Sequence, residues 1–271
     1  MAGGWPSYAT QLGVVVDVGT GSNFAGTSFS IGNGTKGSWA TIVSSTPIDA
    51  TGFALNVWTN SASSVLGLFD VAIGPAGSEI PIATNLRICT DGSRNYGYAF
   101  SVPVSIAAGQ RLSVRGQYAI NSFTPVATIT LMQASINGAS GFSSCVDVGT
   151  VISNSTGTIV TPGSSGTKGA YVQLTGSTPV DFGGFFVIFD GDNSGTSGAG
   201  MLEFIDISIG PSGSEVVIVP NLLVPRYATV SAPPSVSPMF TIPIPAGTRI
   251  ASRGGAISSS PVGVTLHGLV A

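Results

Sequence analysis

The sequence predicts an all-β protein of two tandem antiparallel β-sandwich domains. Apolar and polar residues alternate in its periodic stretches, as in Arg111–Arg115, which is typical of a strand with one buried face. Turn-forming Gly and Pro recur about every 8–12 residues, the strand spacing of a sandwich. No amphipathic stretch favours a helix of about ten or more residues. The main motifs of the first half also return in the second half.

Five short motifs occur twice, in the same order, in the two halves of the chain. The distance between the copies grows from 130 residues at Asp17 and Asp147 to 138 residues at Ala108 and Ala246. A repeat of this length is a whole domain, because solenoid units have only about 20–50 residues. The motif pairs are Asp17–Thr20 and Asp147–Thr150, Gly34–Gly37 and Gly166–Gly169, Ser45–Asp49 and Ser177–Asp181, Ile73–Glu79 and Ile209–Glu215, and Ala108–Leu112 and Ala246–Ile250.

The repeat divides the chain into four segments. Residues 1–13 precede the first copy and are predicted to form an N-terminal arm. Residues 14–137 are predicted to form the first β-sandwich domain and residues 145–271 the second, each of about eight short strands. Residues 138–144, rich in Gly and Ser, are predicted to be the linker between them.

Alternation assigns the strands near the end of each copy. Thr128–Leu131 and Val262–Leu266 are rich in β-branched residues and are predicted to be the closing strands. In Arg111–Arg115 the alternation places both arginines on one face and Leu112 and Val114 on the other.

Composition restricts the possible functions. Only 8% of the residues are charged and the formal net charge is −3, so a nucleic-acid-binding surface is not expected. Hydrophobic residues make up 43% of the chain, which is enough for a packed core. Apolar runs such as Phe185–Phe189 are far shorter than the ~20 residues of a membrane-spanning helix. Met1–Pro6 has no feature of a signal peptide, and we expect no membrane insertion.

The familiar motifs of catalysis and cofactor binding are missing from the sequence. The single histidine, His267, lies on a predicted strand near the C-terminus and is expected at a surface or an interface. Gly34–Lys36 and Gly166–Lys168 lack the spacing of a phosphate loop and are predicted to be hairpin turns. Asp190–Gly195 resembles the start of a calcium loop, but Met201 stands where that loop has Glu, so a solvated loop is favoured over calcium binding. We expect no cofactor, no metal site and no enzymatic activity.

Seven pairs of charged residues occupy matching positions in the two copies. A charge that is present in both copies is predicted to close a turn or to pair across strands, with contacts between subunits as the alternative. A glycosidase would need two neighbouring carboxylates, and nothing in the sequence brings Asp70 to Glu79 or Asp206 to Glu215. The pairs are Asp17 and Asp147, Lys36 and Lys168, Asp49 and Asp181, Asp70 and Asp206, Glu79 and Glu215, Arg111 and Arg249, and Arg115 and Arg253.

Cysteines and aromatic residues give weaker indications. Cys89 and Cys145 have no counterpart in the other copy and are predicted to be two unlinked thiols, with a disulfide as the alternative. The apolar arm favours packing on another chain in a dimer or trimer. A Gly-rich polar loop at residues 91–98 suits contact with protein or sugar, and a role at a strand edge or in the core is equally open. The candidate contact residues are Trp5, Pro6, Tyr8, Arg94, Tyr96 and Tyr98.

Three segments of the second copy resemble a repeated domain of virion proteins from tailed bacteriophages. They are Ile205–Glu215, Pro220–Leu222 and Ile244–Arg253, and the first copy departs from them at Thr84, which replaces the proline. The resemblance implies a jelly-roll-like structural module on the virion, without catalytic residues.

From this resemblance we expect a structural protein on the exterior of the particle. It would be a decoration or cement protein, or a fibre component of head, neck or tail. Its partners would be other virion proteins and copies of itself. The alternatives are a carbohydrate-binding adhesin that recognises a host surface glycan and, with less support, a polysaccharide depolymerase.

Overall fold

Strands make up almost all of the described chain, which confirms the predicted all-β fold. The computed structural model describes residues 14–20, 26–58, 64–91, 98–120, 124–133, 141–163, 167–191, 201–226, 235–256 and 261–271. The short 3-10 helix Ile152–Asn154 interrupts the strands at the start of the second half. No helix within these ranges is long and apolar enough to cross a membrane.

The first half forms two sheets that face each other. One sheet has the strand order β1-β10-β5-β8, with β2 beside β10, and the other has the order β7-β6-β9, with β3 and β4 beside β9. This is the order of a jelly roll, in which two Greek keys fold into a double sheet. The strands are β1 (Val15–Val18), β2 (Thr27–Ser28), β3 (Gly32–Asn33), β4 (Ala40–Val43), β5 (Gly52–Trp58), β6 (Ser64–Ile73), β7 (Ile80–Asp91), β8 (Tyr98–Val102), β9 (Leu112–Ile120) and β10 (Val126–Met132).

The second half repeats this topology. Strand β20 pairs with β11, β13 and β15, and β18 pairs with β15, while the opposite sheet has the order β14-β19-β16-β17. The strands are β11 (Ser144–Val148), β12 (Thr150–Val151), β13 (Thr156–Val160), β14 (Val172–Thr175), β15 (Gly184–Gly191), β16 (Met201–Ile209), β17 (Val216–Arg226), β18 (Ser235–Val236), β19 (Ile250–Ala256) and β20 (Val262–Val270).

Each half has its own core between its two sheets, and the predicted alternation decides which residues enter it. Leu112 and Val114 on β9 are fully buried, while the arginines on either side of them lie on the outer face of the sheet. The closing strands predicted at Thr128–Leu131 and Val262–Leu266 lie within β10 and β20. The positions predicted for these strands are therefore confirmed, although β20 is buried on both faces from Val262 to Leu269 and does not alternate between core and solvent.

Strand β15 is apolar on both faces because it is covered on both. Phe185, Val187 and Phe189 belong to the core of the second half. Phe186 and Ile188 point the other way and belong to the core cluster of the first half. A strand that is buried on both sides has a continuous hydrophobic run instead of an alternating pattern, which explains the run Phe185–Phe189.

The turn between β6 and β7 is one of the predicted glycine-rich turns, and its backbone conformation requires glycine at two positions. Gly74 and Gly77 have φ angles of 104° and 82°, which favour glycine over any other residue. The segment Gly34–Lys36 is not the hairpin turn that the sequence predicts. Strand β3 pairs in parallel with β9, and β4 pairs antiparallel with the same strand, so the segment crosses from one to the other.

The two halves meet along the edge of the first one. Cys145 on β11 pairs with Ala83 on β7, in parallel, and Phe142 pairs with Val104. The bounds of the two domains at residues 137 and 145 stay a prediction.

Candidate functional site

Asp70 is the centre of an ion cluster in the first half. It lies on β6 directly opposite Arg115 on β9, and it is almost fully buried. Its Oδ2 accepts a hydrogen bond from Arg115 Nε at 2.8 Å. Its Oδ1 accepts bonds from Lys36 Nζ at 2.7 Å and from the backbone N–H of Asn85 at 2.9 Å. Three donors thus stabilise one carboxylate, as a buried charge requires.

Asp206 has the same surroundings in the second half. Its oxygens accept bonds from Arg253 Nε at 3.0 Å, Lys168 Nζ at 2.9 Å and the backbone N–H of Asn221 at 2.9 Å. Burial alone would raise the pKa of Asp206, but the bonds from Asn221, Lys168 and Arg253 outweigh it and hold that pKa below its ordinary value. The carboxylate is therefore ionised at neutral pH, whereas a general acid needs a raised pKa.

Both arginines also stack on an aromatic ring. The guanidinium carbon of Arg115 lies 4.4 Å from the ring centroid of Trp39, and that of Arg253 lies 4.5 Å from the ring centroid of Tyr171. At these distances the cation–π attraction helps to hold each guanidinium group in place beside its aspartate.

A second pair of charges closes the turn between two strands in each half. Glu79 accepts a bond from Arg111 Nη1 at 3.0 Å and another from the backbone N–H of Gly77 at 3.0 Å. Glu215 accepts the corresponding bond from Arg249 Nη1 at 3.0 Å. Burial would raise the pKa of each glutamate, but the backbone and arginine hydrogen bonds lower it below its ordinary value.

The matched aspartates near the other turns have the same structural role. Asp49 accepts a bond from the backbone N–H of Ala108, and Asp181 one from that of Ala246, both at 2.7 Å. The prediction that matched charges close turns or pair across strands is confirmed for these pairs and for both ion clusters.

The carboxylates considered for a glycosidase do not act as a pair. Asp70 and Glu79 belong to separate clusters, and so do Asp206 and Glu215. In each cluster the oxygens accept bonds from lysine, arginine or backbone donors. Catalysis of that kind needs two carboxylates facing one substrate, one of them protonated. The geometry favours the structural interpretation.

A polar contact that the repeat does not predict joins the two halves. Asp147 Oδ1 on β11 accepts bonds from Thr84 Oγ1 at 2.6 Å and from Asn85 Nδ2 at 3.0 Å, both on β7. Gln117 on β9 donates from Nε2 to the carbonyl oxygen of Ile152 at 2.6 Å. These bonds hold the start of the second jelly roll on the outer face of a first-half sheet.

His267 lies at the same contact. His267 is on β20, opposite Asp147 on β11, and it is fully buried. Its ring stacks on that of Phe186 with the centroids 5.0 Å apart. Its Nδ1 is 3.8 Å from the Sγ of Cys145. Burial lowers the pKa of His267 to about 4, although Asp147 opposes the shift, and burial raises the pKa of the Cys145 thiol. A neutral imidazole beside a protonated thiol is not an activated nucleophile.

Two sequence predictions are decided by this contact. From the sequence, His267 is expected at a surface or at an interface. It lies at an interface, which is the one between the two halves of the chain. Cys145 has a free thiol, as predicted. The side chain of Cys89 lies outside the described residues.

The side chains of the six candidate contact residues lie outside the described part of the chain. Tyr98 begins β8, but its side chain is not described. The candidate calcium loop begins at Asp190 and Gly191, the last residues of β15, and continues into residues 192–195, outside the described ranges. Among the described side chains, no group of three or more His, Cys, Asp or Glu is arranged to hold a metal ion. The other candidates outside the described residues are Trp5, Pro6, Tyr8, Arg94 and Tyr96.

Sequence reasoning missed the residues that join the halves, although a signal for them exists. Thr84 and Gln117 have Pro220 and Gly255 at the matching positions, and Phe186 has Ala54. Three of the joining residues, Thr84, Gln117 and Phe186, are thus places where the two copies differ. Two others, Asn85 and Asp147, have the same residue types at the matching positions, Asn221 and Asp17, so the contact uses both shared and differing positions.

No protein-family model matches the chain, and no curated protein matches it. Among solved structures, it is similar to PNGase F, a glycosylasparaginase from Flavobacterium meningosepticum, with 10% identity, 95% of this chain and 96% of that chain covered, and a TM-score of 0.42. A structure of PNGF-II matches 95% of the chain at 10% identity with a TM-score of 0.43, and the chain spans 65% of its length. A structure of infectious bursal disease virus, Gx strain, matches at 8% identity with a TM-score of 0.25, covering 96% of this chain and 72% of that chain.

The expectation that the protein is not an enzyme is wrong, because an enzymatic activity is not excluded. The finding that overturns it is that amidase structures match 95% of the chain. Missing motifs exclude little, because catalytic residues come together from distant segments and recur on unrelated folds. With TM-scores of 0.41 and 0.42 and 10% identity, this similarity assigns no activity to the chain.

Proposed function

We propose that the chain is a structural subunit of a virus particle, on the exterior of a tailed bacteriophage. It would serve as a decoration or cement protein, or as a fibre component of head, neck or tail. The assignment to a bacteriophage rests on the resemblance of Ile205–Glu215 and Ile244–Arg253 to repeated virion domains. Its partners would be other virion proteins and further copies of itself.

The observation that carries this proposal is that the matched charged side chains of each half bind one another within that half. Asp70 and Asp206 have the same kinds of donor at nearly the same distances, and Glu79 and Glu215 each bind an arginine at 3.0 Å. Charged groups that satisfy one another inside a scaffold hold its strands and turns in place. They leave a sparsely charged outer surface that a neighbouring subunit covers at small desolvation cost.

Exposed apolar side chains further support a role in assembly. Val14 and Val15 at the start of the first jelly roll are more than half exposed, as is Leu223 in the second. Apolar groups on the surface favour contact with other proteins. The jelly roll itself does not choose between functions, because capsid and lectin domains share it.

Quantitative mass spectrometry of purified virions tests the proposal. We expect the chain in many copies per particle, and immunogold labelling of intact particles should reach it on their surface. Absence of the chain from purified particles contradicts the proposal. A few copies per particle, together with binding of the isolated protein to host polysaccharide, would favour the adhesin instead.

A further inference from the structure

The contact between the two halves of the chain involves two surfaces, and each of them exists a second time on the molecule. We propose that copies of this chain associate head to tail, with β1 of one copy docked on β16 and β17 of the next. This contact would repeat the one within a single chain, where β11 pairs with β7 and the segment 152–155 contacts β9. The inference does not depend on the proposed function.

The surface that receives the second half is a row of three residues across the first-half sheet. Arg87 on β7, Leu68 on β6 and Gln117 on β9 lie side by side in register. All three are buried. Gln117 donates from Nε2 to Ile152 O at 2.6 Å, and it also contacts the hydroxyl of Ser155, so the start of the second jelly roll lies over this row. Asn85, beside the row, donates to Asp147 at 3.0 Å.

Among the described residues, the matching row in the second half is exposed at two of its three positions, because Gly255 is buried beneath Thr167 and Lys168 of its own half. Leu223 on β17, Phe204 on β16 and Gly255 on β19 are in register in the same way. Leu223 is 54% exposed where Arg87 is 2% exposed, and Phe204 is exposed where Leu68 is buried. The lysine of the ion cluster donates to the carbonyl oxygen of Leu68 in one half and to that of Phe204 in the other, so it does not account for the difference.

The polar residue beside this row is also kept. Asn221 has the same φ of 52° as Asn85, and its backbone N–H donates to Asp206 as that of Asn85 donates to Asp70. Asn221 is exposed, whereas Asn85 uses its side chain to bind Asp147. The second half therefore presents two exposed apolar side chains, Leu223 and Phe204, with the amide of Asn221 beside them.

The inserting edge is likewise present twice. Asp147 lies opposite His267 on β11, and Asp17 lies opposite Thr130 on β1, so the two aspartates hold the same position in the fold. Val15 is 57% exposed at the position where Cys145 is 1% exposed beneath the first half. Asp17 is exposed, and its Oδ1 accepts a hydrogen bond from Thr130 Oγ1, so a bond from an amide such as that of Asn221 would be additional to this one.

The free inserting edge is less apolar than the one used inside the chain. Ala54 and Asn56 replace Phe186 and Ile188 on the face next to it. Asn56 Nδ2 donates to Thr130 Oγ1 at 3.0 Å, so this part of the face is already satisfied within its own half. The contact between copies is therefore weaker than the contact between halves, and its association should be reversible and depend on concentration. Because its two surfaces differ, it is a heterologous contact that builds rings or open chains.

Two complementary variants test this contact in the full-length protein. Val15→Arg blocks only the inserting edge, and Leu223→Arg blocks only the receiving surface. In sedimentation velocity, wild-type protein should gain mass with concentration, and each variant alone should stay monomeric. An equimolar mixture of the variants should form one heterodimer and nothing larger, because only one pair of intact surfaces remains. Ile80→Arg is the matched control, since Ile80 and its equivalent Val216 are exposed in both halves, and it should associate like wild type.

A charge exchange tests the polar pair by itself. Asn221→Asp places a carboxylate against Asp17 and should weaken association by about tenfold or more. Adding Asp17→Asn to that variant should restore association, because the amide at position 17 can then donate to the carboxylate at position 221. Circular dichroism establishes that each variant is folded.

Three outcomes overturn the proposal. The first is wild-type protein that stays monomeric up to its solubility limit, which would leave these surfaces to other proteins. The second is a Val15→Arg or Leu223→Arg variant that is folded and associates like wild type. The third is a mixture of the two variants that does not form a heterodimer.

Discussion

Arg253 faces Asp206 across two neighbouring strands and donates its Nε–H to the carboxylate at 3.0 Å. The same relationship exists in the first half between Arg115 and Asp70, at 2.8 Å. Each aspartate also binds a lysine that reaches over the sheet and the backbone of an asparagine on the adjacent strand. One buried carboxylate thus ties three strands and a crossing segment together, so we expect the loss of its charge to be costly.

Asp206→Asn should lower the free energy of unfolding by about 3 kcal/mol. The substitution leaves Lys168 and Arg253 without a counter-charge, and breaking a buried ion pair costs about 3–5 kcal/mol. The partial exposure of both cations reduces that cost. Urea unfolding at neutral pH measures it. Asp17→Asn is the control, because Asp17 is exposed, and should change stability by less than about 0.5 kcal/mol. Equal losses in both variants would contradict a central role for Asp206.

Phe186→Ala should weaken the contact between the halves. Phe186 is buried there and stacks on His267, and removing a buried Phe side chain costs about 3–5 kcal/mol. Thermal unfolding followed by calorimetry measures the loss, and we expect the transition to separate into two as the halves uncouple. Leu223→Ala, at an exposed position, should leave the transition within about 0.5 kcal/mol of wild type. A single unshifted transition in the Phe186 variant would show that the halves do not depend on this contact.

Acid should destabilise the protein through His267. Its pKa in the folded protein is about 4, below the ordinary value of 6.5, so the unfolded chain takes up the proton first as the pH falls. Above pH 6.5 this group leaves stability unchanged. Between pH 6.5 and 4 it should lower stability progressively, by about 3 kcal/mol at pH 4.

His267→Thr tests that assignment, since Thr130 occupies the matching position in the first half. Urea unfolding of both proteins from pH 8 to pH 4 gives the two profiles. The variant should lose less stability than wild type between pH 6.5 and 4. Parallel profiles across this window would assign the acid sensitivity to other groups.

Substitutions at Asn85 and Asn221 separate two contributions to stability. One is the cost of the left-handed backbone conformation, and the other is the side-chain contact between the halves. Both asparagines have a φ of 52°, where Ala is disfavoured by about 1–2 kcal/mol and Gly is tolerated. Asn221→Ala should therefore be destabilised relative to Asn221→Gly, and the same difference should appear at position 85. Asn85→Gly should lose additional stability compared with Asn221→Gly, because only Asn85 binds Asp147. Urea midpoints of the four variants at low concentration measure this, and equal values for the two Gly variants would exclude a stabilising role for the Asn85 side chain.

Local features of the sequence determined the fold and the shared scaffold. Alternation placed Leu112 and Val114 in the core, and the double occurrence of the motifs predicted two similar β-sandwiches. The matched charges predicted that Asp70 and Asp206 act structurally, because a group that is kept in both copies serves what both copies have in common. These inferences succeed because strand periodicity and turn chemistry are properties of neighbouring residues.

Tertiary structure decided how the two halves use their outer faces. Asp17 and Asp147 look equivalent in the sequence, yet one is exposed and the other binds Thr84 and Asn85. The burial of His267 and the apolar run through Phe186 follow from the same packing. Such contacts join residues more than 60 positions apart, and no local pattern encodes them. What the sequence determined by itself was the jelly-roll scaffold that each half repeats. Which face of that scaffold is covered depends on the neighbour that packs on it, and only the folded chain brings that neighbour into place.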